Sequence, residues 1–134
     1  MQPEVVHDPV RAFLEQQGYA CYIVEGGLDY LLTSWESTVA SIVDGEEMDY
    51  NAYLKCMDRR RMLEETLALI PSEEQAAYLK QVEEADEALK RHLIGTSLPL
   101  CGQVVATEQG YTPQRQWWYY YRPRVVDETW PDMF

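Results

Sequence analysis

Leu28, Leu31, Leu32, Trp35, Val39, Ile42 and Val43 recur at intervals of three and four residues, and this stripe constrains the chain more than any other feature it carries. A helix turns once every 3.6 residues, so these seven side chains share one face of a helix over 28–43. An apolar face of that length is stable only when other elements cover it. Tyr53, Cys56, Leu63, Leu67 and Ile70 repeat the spacing in a helix predicted over 50–70, capped by Asp49 and ended by Pro71, with Arg60 in the turn where an apolar residue is missing. Tyr78, Leu79, Val82, Ala85, Leu89 and Leu93 repeat it over 73–93, where Ser72-Glu73-Glu74-Gln75 has the form of a capping box and Gly95 is the stop. A shorter helix over 9–17 starts at Asp8-Pro9, buries Val10, Phe13 and Leu14, and ends at Gly18.

Two stretches lack this period. "YACYIV" (19–24), bounded by Gly18 and Gly26-Gly27, reads as a strand or a buried connector. Residues 96–134 hold four of the seven prolines and three of the four tryptophans, and read as a wrapping segment of turns and short strands. The expected fold is therefore mainly α: one domain over 1–134, a bundle of about four helices with an aromatic-rich C-terminal segment packed across it. A chain of 15.6 kDa is of single-domain size.

Charge narrows the functions open to such a bundle. The net charge is -12, and it is concentrated: sixteen acidic residues against five basic ones lie between Glu25 and Glu87. Phosphate contacts need lysine and arginine, so nucleic acid is an unfavoured partner and a basic protein a favoured one. The carboxylates best placed to meet it are Glu46 and Glu47 in the loop after the first long helix, and Glu73, Glu74, Glu83, Glu84 and Glu87 outside the apolar stripe of the last one. Cys21, Cys56 and Cys101 are odd in number and form no CxxC spacing, which fits a reducing cytoplasm and neither a disulfide framework nor a zinc site. No run of eighteen apolar residues or signal-like N-terminus occurs, so neither membrane spanning nor standard secretion is expected.

Catalytic material is sparse. His7 and His92 are the only histidines, and His92 is better suited to serving the last carbonyls of its helix than to acting as a general base. Ser34, Ser37 and Ser41 lack a nucleophile elbow, Gly26-Gly27 lacks the spacing of a phosphate loop, and Asp44, Glu46, Glu47 and Asp49 lack the ligand spacing of an EF-hand. No enzyme, cofactor or metal site is expected. In "DRRR" (58–61) successive arginines point about 100° apart, so they cannot share one ligand, and Asp86 falls beside the apolar positions of the last helix. A structural ion pair of Asp86 with Arg59 or Arg60 is expected.

The run "QWWYYYRP" (116–123) places five rings in succession. Extended, it would present Trp117, Tyr119 and Tyr121 on one face and Trp118, Tyr120 and Arg122 on the other. One face would close the core; Trp118 and Tyr120 are the candidates for contact with a partner.

"GGLDYLLTSWESTV", "DYNAYLKCMDRRRMLEE", Asp86 and "YTPQRQWWYYYRP", spanning about 26–123, together resemble small, acidic, mainly helical bacterial immunity proteins of the kind found beside toxin genes. That resemblance implies a single-domain cytoplasmic inhibitor that binds a toxin domain directly; the acidic charge makes a basic toxin domain the expected partner, and a monomer or weak homodimer is expected. It transfers no individual site residue. Two other classes stay open: an enzyme or small-molecule-binding protein with a pocket between the helices and the aromatic segment, and an adaptor or secretion chaperone.

Overall fold

Asp8 opens the first helix of the computed structural model, which describes residues 8–134. Its carboxylate accepts hydrogen bonds from the Val10 and Arg11 amides at 3.1 Å, Pro9 occupies the first helical position, and α1 runs from Pro9 to Gln16. Gly18, at φ 75°, turns the chain out of it. His7 lies outside the described residues.

The next element corrects the expectation for residues 19–24. They form neither strand nor connector: α2 spans Cys21–Val43, with a kink at Gly27 (φ 56°, ψ -144°). The reason is burial. Ile23 and Val24 reach the same core as Leu28 and Leu31 once the helix bends, and the Ala20 carbonyl takes the amides of Ile23 and Val24 to start it. Both glycines are needed at the bend. Gly27 supplies a backbone conformation that side chains rarely tolerate, and a Cβ on Gly26 would stand 2.4 Å from Cβ of Tyr30.

α3 (Tyr50–Leu67) is capped by Asp49, which accepts from the Ala52 amide at 2.7 Å. It stops three residues short of the expected end. Leu69 and Ile70 tighten into bonds to Thr66 and Leu67, because Pro71 cannot continue a helix and disfavours helical backbone at Ile70. α4 covers Ser72–Lys90. The expected capping box does not form: Pro71 holds the cap position, its carbonyl accepts from the Glu74 and Gln75 amides, and the Gln75 side chain donates backwards to the Ile70 carbonyl at 2.9 Å.

α4 ends at Lys90 because the following residues serve a sheet. β1 (Leu93–Gly95) pairs antiparallel with β2 (Tyr121–Pro123), Ile94 opposite Arg122. Between them the wrapping segment contains one short helix, α5 (Gln103–Gln109), bounded by Gly102 and Gly110 at positive φ, and a single 3₁₀ turn over Trp117–Tyr119.

α2 is the central element, packed against α1, α3 and α4. Arg59 of α3 meets Ser34 while Cys56 meets Met48, so α3 runs back along α2; Tyr78 meets Asp29 while Asp86 meets Trp35, so α4 runs with it. The buried aromatic residues Trp35, Tyr53, Trp118 and Tyr119 tie the bundle to the C-terminal segment. The chain end returns to the start of α3: Trp130 donates to the Met48 carbonyl at 3.0 Å, Thr129 accepts from the Tyr50 amide at 2.9 Å, and Phe134 stacks on Tyr50. Among the described residues no helix is long and apolar enough to cross a membrane.

Candidate partner-binding face

α2 and α4 lie side by side, packed on each other, and between their outer sides a shallow channel stays open, floored by the edges of both apolar stripes. Its first half, about 430 Å³, is lined by Asp29, Leu32, Thr33 and Glu36 of α2 and by Ala77, Tyr78 and Gln81 of α4. The second half, about 420 Å³, shares Glu36 and Gln81 with the first and continues over Val39, Ala40, Val43 and Asp44 opposite Glu84, Ala85 and Ala88. The floor is therefore aliphatic and small, and the rims carry Asp29, Glu36, Asp44 and Glu84. No lysine, arginine or histidine lines either half. The ion pairs among the described residues involve none of these four carboxylates; Asp29 accepts only a neutral hydroxyl, from Tyr78 at 2.9 Å.

Of the seven glutamates singled out from the sequence, all are exposed, but they do not form one site. Glu84 joins the channel. Glu83 and Glu87 line the adjoining flank of α4 together with Lys80 and Arg91, a depression that Glu84 and Ala88 also border, and Lys90 pairs with Glu87 there at 3.7 Å. Glu73 and Glu74 occupy the first turn of α4, where the helix dipole favours acidic side chains. Glu46 and Glu47 border a separate depression of about 210 Å³ with His92 and Arg124. His92 serves the end of α4 through its backbone amide, which donates to the Leu89 carbonyl at 2.8 Å, while Arg124 meets the carbonyls that follow, that of Arg91 through its side chain and that of His92 through its amide.

Sequence reasoning missed Asp29 and Glu36, and weighed Asp44 only as a calcium ligand. The signal was present, since each follows directly after a stripe residue (Leu28, Trp35, Val43) and so flanks the buried face of α2.

The arginine cluster is structural. Arg60 is 4% exposed and forms a two-point pair with Asp86, at 2.8 Å and 3.2 Å, while its remaining nitrogen donates to Glu64 at 3.0 Å. Trp35 donates to the same Asp86 carboxylate at 2.9 Å, and the guanidinium lies 4.5 Å from the ring centre of Trp118. Burial acts to lower the Arg60 pKa, but the hydrogen bond and charge of Asp86, then of Glu64, more than offset it and hold the group above the ordinary arginine value. Arg59 points elsewhere, donating to Ser34 at 3.3 Å.

The aromatic run is extended only from Tyr121 onward, in β2, and its first three rings form the 3₁₀ turn, which overturns the expected division into two faces. In the 3₁₀ turn Trp118 and Tyr119 both enter the core, each 1% exposed. Trp118 thus has no surface to offer a partner. Tyr120 is half-buried and donates its hydroxyl to the Tyr111 carbonyl at 3.2 Å. Tyr119 stacks on Tyr111 and donates to Asp58 at 2.5 Å; burial, then the Asp58 bond and charge, push its pKa up. Among the described residues no three His, Cys, Asp or Glu side chains are placed to hold a metal ion. No family model, curated protein or solved structure matches this chain.

Proposed function

We propose that this chain is a non-enzymatic protein-binding inhibitor of the immunity type, which neutralises a basic partner by direct contact with the α2/α4 face. One observation carries the reading. Four carboxylates without ion-pair partners surround an aliphatic floor from which basic side chains are absent. The apolar floor supplies area to bury, and the carboxylates steer a cationic surface towards it and fix its register. The three free cysteines suit action in a reducing cytoplasm. The pocket reading has less support, because Trp118 and Tyr119 themselves fill the space between the helices and the C-terminal segment.

The test is affinity capture of the tagged chain from its native cells, followed by activity assays on the purified partner. A single stoichiometric basic protein, whose activity falls to nothing on equimolar addition of the chain, is the expected result. Recovery of the chain alone, or of a partner whose activity is untouched, overturns the reading.

A further inference from the structure

We infer that what occupies the α2/α4 channel is one helix of the partner, with two apolar anchors seven residues apart and lysine or arginine on both flanks. The inference rests on reading that face as partner-binding, and three features of the channel lead to it.

Both walls are helices. Their backbone N–H and C=O groups bond within each helix, so neither wall presents an edge to which an extended segment could add as a strand. An extended occupant would gain no main-chain bonds here and would lose those it makes to water. A helix arrives with its own bonds satisfied and needs only side-chain contacts, as in other helix-in-groove recognition.

The floor is divided into two hollows, one beside Leu32 and one beside Val39. These residues are seven apart, two turns of α2, so the hollows are separated by about 10 Å along the helix. On an incoming helix the matching positions are i and i+7. Ala40, Ala85 and Ala88 keep the second hollow low enough for helix axes to approach to about 8–10 Å.

The charge excludes the other occupants. Asp29, Glu36, Asp44 and Glu84 line the channel with no cation in it and none in an ion pair, although Glu84 also borders Lys80 and Arg91 on the adjoining flank. Nucleic acid and anionic lipid surfaces are repelled, and a second copy of this chain docking face to face would set carboxylates against carboxylates. A basic helix alone satisfies both rim and floor.

The test uses the full chain and three labelled synthetic peptides of about 18 residues, long enough for an alanine-lysine sequence to be helical. The first carries leucine at i and i+7, the second has the same composition with the leucines on opposite faces, and the third has a central proline. All three carry the same charge, so attraction between opposite charges alone cannot separate them. The first is expected to bind about tenfold more tightly than the others by fluorescence anisotropy, with affinity falling as salt rises. E36K/E84K, at two exposed positions, is expected to reduce that binding at least about tenfold, and Ala40→Trp, which fills the second hollow at an exposed position, should do the same without changing the circular dichroism spectrum.

Equal binding of all three peptides, no binding, or indifference to both variants would sink the inference. A captured natural partner that E36K/E84K weakens, combined with equal binding of the peptides, would retain the face and reject the helix. Selective binding of the first peptide with no partner captured would retain the channel's chemistry and reject the inhibitor reading.

Discussion

Arg60 and Asp86, 26 residues apart in sequence, meet through two hydrogen bonds in the interior, with Trp35 donating to the same carboxylate. The pair joins α3 to α4, which have few other close approaches, and its guanidinium packs on Trp118. Removing one member strands the other in a low-dielectric site. Asp86→Ala is therefore expected to cost about 3–5 kcal/mol, read as a lower urea midpoint. Replacing both residues with apolar ones of similar volume should restore much of that loss. A D86A variant as stable as the parent would show that the pair is dispensable.

Tyr53 presents the opposite case. Its ring is fully buried, but its hydroxyl has no hydrogen-bond partner. An unsatisfied buried hydroxyl costs about 1–3 kcal/mol, whereas phenylalanine keeps the ring and drops the polar atom. Tyr53→Phe should leave the urea midpoint unchanged or raise it. A clear destabilisation would mean that the hydroxyl has a partner after all.

Alkaline pH should expose the tyrosines. Burial raises the Tyr53 pKa, and burial followed by the Asp58 bond and charge raises that of Tyr119, with Arg61 opposing in part. The folded-state values lie above the unfolded value of about 10, so the stabilising contribution is complete below pH ~10 and is lost as pH rises above it. Each such tyrosine should add a slope of about 1.4 kcal/mol per pH unit in that range. Urea unfolding between pH 8 and 11 should show the decline, and Tyr119→Phe should make it shallower. Parallel profiles for parent and variant would contradict this assignment.

Legibility followed period and length. Leu28 through Val43 announce α2 because the stripe runs for more than four turns, and the stripes of α3 and α4 were readable for the same reason. The stretch 19–24 is only six residues, too few to separate helix from strand, and what decides its state is a tertiary contact of Ile23 and Val24 with the core. Ser72 shows a second limit: its local motif competes with Pro71 and Gln75, and they prevail. The candidate site was half legible. Glu84 was visible as an exposed acid, but that it faces Glu36 and Asp44 depends on α4 running parallel to α2, a fact of chain topology.

Gly27 is the position where local backbone and global fold meet most directly. At φ 56° and ψ -144° it occupies a region that is nearly reserved for glycine, and the bend it makes lets Ile23 and Val24 share the core with Leu28. Gly27→Ala is expected to destabilise the protein by about 1–3 kcal/mol, even though the space around a new Cβ holds nothing closer than 3.9 Å. A melting temperature equal to the parent's would show that the bend can relax.

The neighbouring rings Trp118 and Tyr120 should differ in kind. Trp118 is 1% exposed, lies over the Arg60 guanidinium and has no surface to lend to a partner. Trp118→Ala removes a whole indole from the centre of the bundle and should cost about 3–5 kcal/mol, with any loss of binding following from loss of fold. Tyr120 is half-buried, and its side chain makes one hydrogen bond, from the hydroxyl to the Tyr111 carbonyl. Tyr120→Phe deletes only that bond and should cost about 1 kcal/mol. Chemical denaturation of both variants, with peptide binding measured on whichever stays folded, separates the roles. If Trp118→Ala stays fully folded while binding is abolished, the 3₁₀ turn belongs to the interface and its place in the core is secondary.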